Sequence, residues 1–345
     1  MRHTDSWRDS KRRFVVTMVL ASLVLAALLC ANLCIGSVGM SPAELLGALA
    51  AGPGASGLEA SVIWQIRLPR AVSAAILGGA LACSGFLLQT FFNNPIASPY
   101  ILGISAGAKC ALAAVTICVI GAGGALASWQ VVGAAFVGSL AATALVLGLS
   151  TKIRSMSMLI VAGVMAGYVF NAITDFLVTF ASDQNIVNLH NWALGSFSGA
   201  TWSQVGVEAA VCAAGFAASM ALAKPMAAFQ LGESYAKSVG VNVRLFRAAL
   251  IAVASLLAAC ATAYAGPVGF VGIAVPYLAR TALASSKPVR AVPACLVMGA
   301  AFCLLCDLVA RTLFSPTELN LGTVTAVFGA PVVIALMMHR TREGR

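Results

Sequence analysis

Charge is the scarcest property of this sequence. Only 9% of its 345 residues are Asp, Glu, Lys or Arg, against roughly 25% in soluble domains, so an ordinary soluble fold is excluded. Acidic residues number 11 and histidines 3. There is no HExxH pair, no set of paired catalytic carboxylates and no nucleophile elbow, so no catalytic residue is assigned. No G-x-x-x-x-G-K-[ST] phosphate loop occurs, and any ATP hydrolysis must belong to another subunit. The 10 cysteines are scattered without paired CxxC sets, so neither a disulfide framework nor a zinc site is suggested. Cys303 and Cys306 share a helical face and read as soft packing.

Apolar residues are abundant: 60% of the chain is hydrophobic and the mean hydropathy is +0.95. A membrane crossing takes roughly 20 apolar residues. About ten such stretches can be placed, near 13–36, 61–90, 105–121, 129–151, 155–181, 202–224, 244–264, 270–283, 288–313 and 318–339. The expected fold class is an all-α polytopic membrane protein, one transmembrane domain over 1–345. The eighth stretch is short and is expected to be tilted, broken or partly re-entrant.

The formal charge of +10 follows topology and gives no case for nucleic acid. A basic tail at 1–13, Lys152 and Arg154, Lys224 to Arg247, Arg280 to Arg290 and the C-terminal arginines all fall on one side. That side, with both termini, is expected to be cytoplasmic. Arg67, Arg70 and Arg311 are the exceptions. They land at outer ends, where few acidic residues stand to pair with them.

Two stretches break the helical pattern. Residues 91–109, FFNNPIASPYILGISAGAK, carry two prolines and two glycines, and residues 266–276, GPVGFVGIAVP, carry more. Non-helical backbone at membrane depth has to be buried in protein or line a cavity. Ala74, Gly78 and Ala82 make a flat packing face. Asn171, Thr174 and Asp175 fall at i, i+3 and i+4 and share a face, which reads either as the lining of a polar pathway or as a satisfied structural cluster. The connection at 225–243 contains a short helix outside the membrane: Glu233 at its N-terminal end, Lys237 at i+4, Gly232 and Gly240 at its ends. Such a helix suits docking into a groove of another protein.

Taken in order, WQIRLPR, GGALACSGFLLQTFFNNPIASPYILGISAGA, LGESYAKSVGVNV, AGPVGFVGIAVPYLAR, CDLVAR and LNLGTVTAVFGAPVVIALM resemble the permeases of the iron-siderophore, haem and vitamin B12 ABC importers. The resemblance covers nearly the whole chain and implies the type II ABC importer permease fold of ten spans. It implies a second permease subunit (a homodimer), two ATPase subunits that bind ATP and Mg, an extracytoplasmic substrate-binding protein and a prokaryotic cytoplasmic membrane. It implies that this chain itself binds no cofactor or metal.

By the same resemblance Arg67, Arg70 and Arg311 dock the binding protein, and Gly232, Glu233, Ala236 and Gly240 form the ATPase coupling helix. Asn94, Pro95, Ile96, Ser155 and Met156 mark the inner gate. Tyr277 stands where the family has histidine, and no role is assigned to it. The implied cargo is a ferric siderophore, the commonest in the family, with haem and cobalamin as alternatives. An ion-coupled secondary transporter with Asp175 and Asp307 as carriers is the competing reading.

Overall fold

With so few polar side chains, backbone hydrogen bonds must be satisfied within each segment, and helices are the solution. The computed structural model describes residues 2–36, 39–54, 57–120, 127–153 and 155–343. Of these, the side chains of 2–9, 118–120, 151, 156, 336–337 and 339–343 are not described.

Helix α1 runs Arg2–Cys34, so the basic tail is a continuation of the first span. A short capped helix, α2 (Pro42–Ala51), follows outside the spans. Its Ser41 side chain and Glu44 form a reciprocal capping box, and that amide bond holds the Glu44 carboxyl below its ordinary value. α3 is continuous from Leu58–Phe91, passing through a π-helical turn at Val62–Arg67. Next come α4 (Ile104–Ala114), α5 (Ser128–Lys152), α6 (Met156–Val178), α7 (Asp183–Leu194) and α8 (Trp202–Ala221). The chain continues as α9 (Ala223–Gln230), α10 (Glu233–Ser238), α11 (Val243–Ala265), α12 (Val271–Leu283), α13 (Pro288–Thr312) and α14 (Leu321–Glu343).

Among the described residues, 7 helices are long and apolar enough to cross a membrane. Shorter apolar helices at Ile104–Ile117, Val271–Leu283 and Leu321–Ala335 supply the remaining predicted spans. The helix α7 was not anticipated from the sequence: its mixed polar and apolar residues give no span signal.

α3 is the central element, packed against α8, α11, α12 and α13. Small residues allow this. A Cβ on Gly78 would lie 2.5 Å from the Gly299 carbonyl oxygen, and one on Gly85 would fall onto the Gly272 carbonyl. The second contact fixes the start of α12 level with Gly85, far down α3. At 13 residues α12 is about 20 Å long, short of the roughly 30 Å hydrocarbon core. The broken-entry expectation is therefore met by a helix that covers part of the depth. Phe270 at its start has φ 65°, a conformation costly for a bulky residue. The preceding loop is tied down by a Val268 N–H donated to Tyr100 Oη at 2.6 Å. The 91–109 break is likewise real: α3 stops at Phe91 and a 3-10 turn, Pro99–Leu102, precedes α4.

Candidate functional site

Bonds from Arg290 to Ser10 and from Gln230 to Ser286 put the start of α1, the start of α13 and the chain next to α10 at one end, the basic end, and the bond from Arg311 to Asn32 marks the far end. Three places answer to the sequence expectations.

At the far end the three arginines come together, not as free outward cations, and the expectation of few internal partners is corrected: each has several. Arg67 is 5% exposed and its Nη1 donates to the Leu33 and Cys34 carbonyls at 2.6 and 3.1 Å. Arg311 donates to the Asn32 carbonyl and, at 3.0 Å, to Asn32 Oδ1. These carbonyls are the last of α1, which have no partner within the helix, so two arginines cap it. Arg70 Nε donates to both oxygens of Asp307 at 3.0 and 3.1 Å. Its two terminal nitrogens donate to the two oxygens of Glu318 at 3.0 and 3.1 Å. This is the fork geometry that makes arginine the choice for carboxylate pairing. Asp307, with a side chain 2% exposed, also lies 3.8 Å from Arg311. The partners Asn32, Asp307 and Glu318 were missed; the i, i+4 spacing of Asp307 and Arg311 was their one local signal.

At the basic end, α10 is as the sequence reading described. Gly232 and Gly240 have φ 122° and 86°. Glu233 bonds Lys237 at 2.8 Å and Arg247 at 2.5 Å, and these cations, Lys237 first, hold its carboxyl below the ordinary value against the opposing effect of burial. Ala236 is 0% exposed and packs inward, and a Val241 N–H is donated to its carbonyl. The exposed large apolar side chains on and beside the helix are Leu231, Tyr235 and Val239, at 70%, 48% and 52% exposure.

The structure brings this helix and the predicted gate turn to the two sides of one cleft of about 490 Å³, whose lining includes Gln89, Asn94, Pro95, Glu233, Arg247 and Arg280. Arg280 donates to Gln89 Oε1 at 2.5 Å, while Gln89 donates to the Gly272 and Ile273 carbonyls at 3.2 and 3.3 Å. The turn itself is held by an Ile96 N–H donated to Asn94 Oδ1 at 3.1 Å. Ser155 caps α6 apart from this cleft. The side chain of Met156 and the residues Arg154, Gly344 and Arg345 lie outside the described residues.

The third place is α6. Thr174 is buried, donating to the Phe170 carbonyl at 2.8 Å, while Asn171 and Asp175 are exposed.

The sequence profile described as the FecCD transport family matches residues 23–339. The vitamin B12 import system permease protein BtuC of Klebsiella pneumoniae is 33% identical over 342 residues, covering 99% of this chain and 98% of the relative. That of Escherichia coli O157:H7 is 32% identical over 341 residues, with 97% and 98% covered. A solved inward-facing structure, assigned to a metal-chelate type ABC transporter, superposes with a TM-score of 0.82 at 26% identity, covering 93% of this chain and 98% of that one. PsaBC from Streptococcus pneumoniae, at 15% identity and a TM-score of 0.53, shares the fold alone over 78% of this chain and 90% of that one. With a family profile over nearly its full length and a matching fold, the chain belongs to the FecCD transport family and is a type II ABC importer permease.

Proposed function

We propose that this permease imports a bulky metal chelate across a prokaryotic cytoplasmic membrane, with the basic end inside and the far end facing the binding protein. The observation that supports it most is similarity to vitamin B12 permeases over 99% of the chain. Cobalamin is therefore the first cargo to test. The 0.82 match to a metal-chelate type transporter keeps a ferric siderophore beside it. The experiment is uptake of radiolabelled cobalamin, ferric siderophore and haem in cells with and without the gene. Selective loss of one label assigns the cargo, whereas undiminished uptake of all three counts against a chelate importer of this class.

Two copies of the permease form the assembly, and exposed apolar side chains such as Tyr168 and Phe176 on α6, at 65% each, fit a face covered by another chain. Two ATPase subunits bind ATP and Mg and dock on α10. ATP binds their closed state better, and that difference supplies the bias that rocks the helices. The docking surface is the Leu231, Tyr235 and Val239 side rather than Ala236, and the adjoining cleft joins it to the Asn94–Pro95 turn. Tyr235→Asp is expected to leave the permease folded, lower copurification of the ATPase by about tenfold or more, as loss of an aromatic anchor does, and stop uptake. Full copurification would sink this assignment.

At the far end the binding protein meets the edge of the arginine network. Glu318 is its exposed part, with a side chain 46% accessible, so docking occurs on an already paired set of charges. Charge complementarity there sets register and encounter rate, and salt weakens it.

A further inference from the structure

A second cavity, of about 260 Å³, opens at the far end between α3, α5, α7, α8 and α11. Its lining includes Ser73, Trp192, Gln204, Glu208 and Tyr264. It is separate from the arginine network, from the cleft at the basic end and from the exposed face of α6. Glu208 lies in the seventh position of α8, roughly 9 Å along the helix from its start. It is 1% exposed, and the Ser73 hydroxyl donates to its carboxyl.

Two polar atoms in this wall are left over. Among the described residues, Glu208 Oε2 and Trp192 Nε1 are both buried and have no hydrogen-bond partner. No lysine or arginine lines the cavity. An unpaired carboxylate buried at membrane depth is costly, and such a group marks a functional site more often than a structural one. The oxygen asks for a donor, preferably charged, while the indole N–H asks for an acceptor close by. The rings of Trp192 and Tyr264 in the wall favour a cation over a neutral ligand. At about 30 Å³ for each water, the volume admits a group of a few heavy atoms with some accompanying water.

We propose that this cavity binds a primary-ammonium group with an oxygen acceptor beside it, held by Glu208 as counter-charge and by the Trp192 indole N–H. An amino alcohol has this chemistry, either as a free solute or as the headgroup of phosphatidylethanolamine. Its lining comes from helices far apart in sequence, so an occupant would bridge α3, α8 and α11.

The test uses the full-length permease in nanodiscs of pure phosphatidylcholine, titrated by calorimetry with ethanolammonium, ethylammonium and glycerol. Ethanolammonium is expected to bind saturably and glycerol not to bind. Glu208→Gln is expected to weaken ethanolammonium by at least about tenfold, as loss of one partner of a buried charge pair does. Trp192→Phe is expected to weaken ethanolammonium but leave ethylammonium, which has no acceptor, unchanged. Repeating the titration in phosphatidylethanolamine nanodiscs separates the sources: loss of the signal identifies the headgroup as occupant, and its persistence a free solute. Equal binding of glycerol, equal affinity in Glu208→Gln, or no saturable binding of ethanolammonium in phosphatidylcholine would overturn the proposal. The glycerol comparison needs only the wild-type chain, so it stands even if a variant fails to fold.

Discussion

Asp307→Ala is expected to cost about 3 to 5 kcal/mol and to leave little folded permease in the membrane. The carboxylate is 2% exposed and faces Arg70 at 2.9 Å and Arg311 at 3.8 Å. Removing it leaves Arg311 without its carboxylate and Arg70 with only the more exposed Glu318, which is more damaging than losing an exposed pair. Thermal unfolding of the purified protein measures the loss. Asp307→Asn keeps the shape and one acceptor, so it should fall between the two. The ion-coupled reading makes the opposite prediction: the Asn variant would fold as the wild type does and lose only ion-dependent transport. A wild-type melting temperature for Asp307→Ala would show that the network holds nothing.

The second large effect is expected at Gly85. Its missing side chain is filled by the backbone carbonyl of Gly272, which cannot swing aside as a side chain can. A single methyl in Gly85→Ala must push α12 away from α3, and it also pulls on the two bonds from Gln89 to the Gly272 and Ile273 carbonyls. Overpacking of this kind costs about 1 to 3 kcal/mol. The control is Gly133→Ala, where no atom lies within 4 Å of the added Cβ, so that the better helix propensity of alanine shows instead, about 0.5 to 1 kcal/mol in favour. The expected result is a clear drop in melting temperature for the first variant and none for the second. Equal behaviour of the pair would mean that α3 and α12 separate freely.

Local rules made much of the architecture legible. The apolar runs gave the spans because a helix in lipid needs length and little else. The 91–109 and 266–276 breaks were readable from proline and glycine, and α10 from Glu233 and Lys237 one turn apart. The network at the far end was not readable, because its pairs are separated by 237 and 248 residues and charge counting sees only that a cation stands at a helix end. Arg67 shows the difference: from composition it is an outward cation, whereas in the fold it is the cap of α1. The burial of Ala236 was not readable for a related reason, since the inward turn of its helix depends on how the chain returns through Val241. Glu208 was overlooked as a single acid in a run otherwise rich in alanine and valine. The burial that makes it informative is a property of α3 and α11 as much as of α8.

The capping of α1 also bears on the order in which the chain is completed during synthesis. Arg67 arrives 33 to 34 residues after the carbonyls that it caps. Arg311 arrives 279 residues after Asn32, and Arg290, which bonds Ser10 at the other end of the same helix, 280 residues after its partner. At roughly 5 to 20 residues per second that interval is on the order of 15 to 60 seconds. Throughout it the first helix sits in the bilayer with half of its cap and without its later neighbour. The segment made first is thus among the last to be fastened.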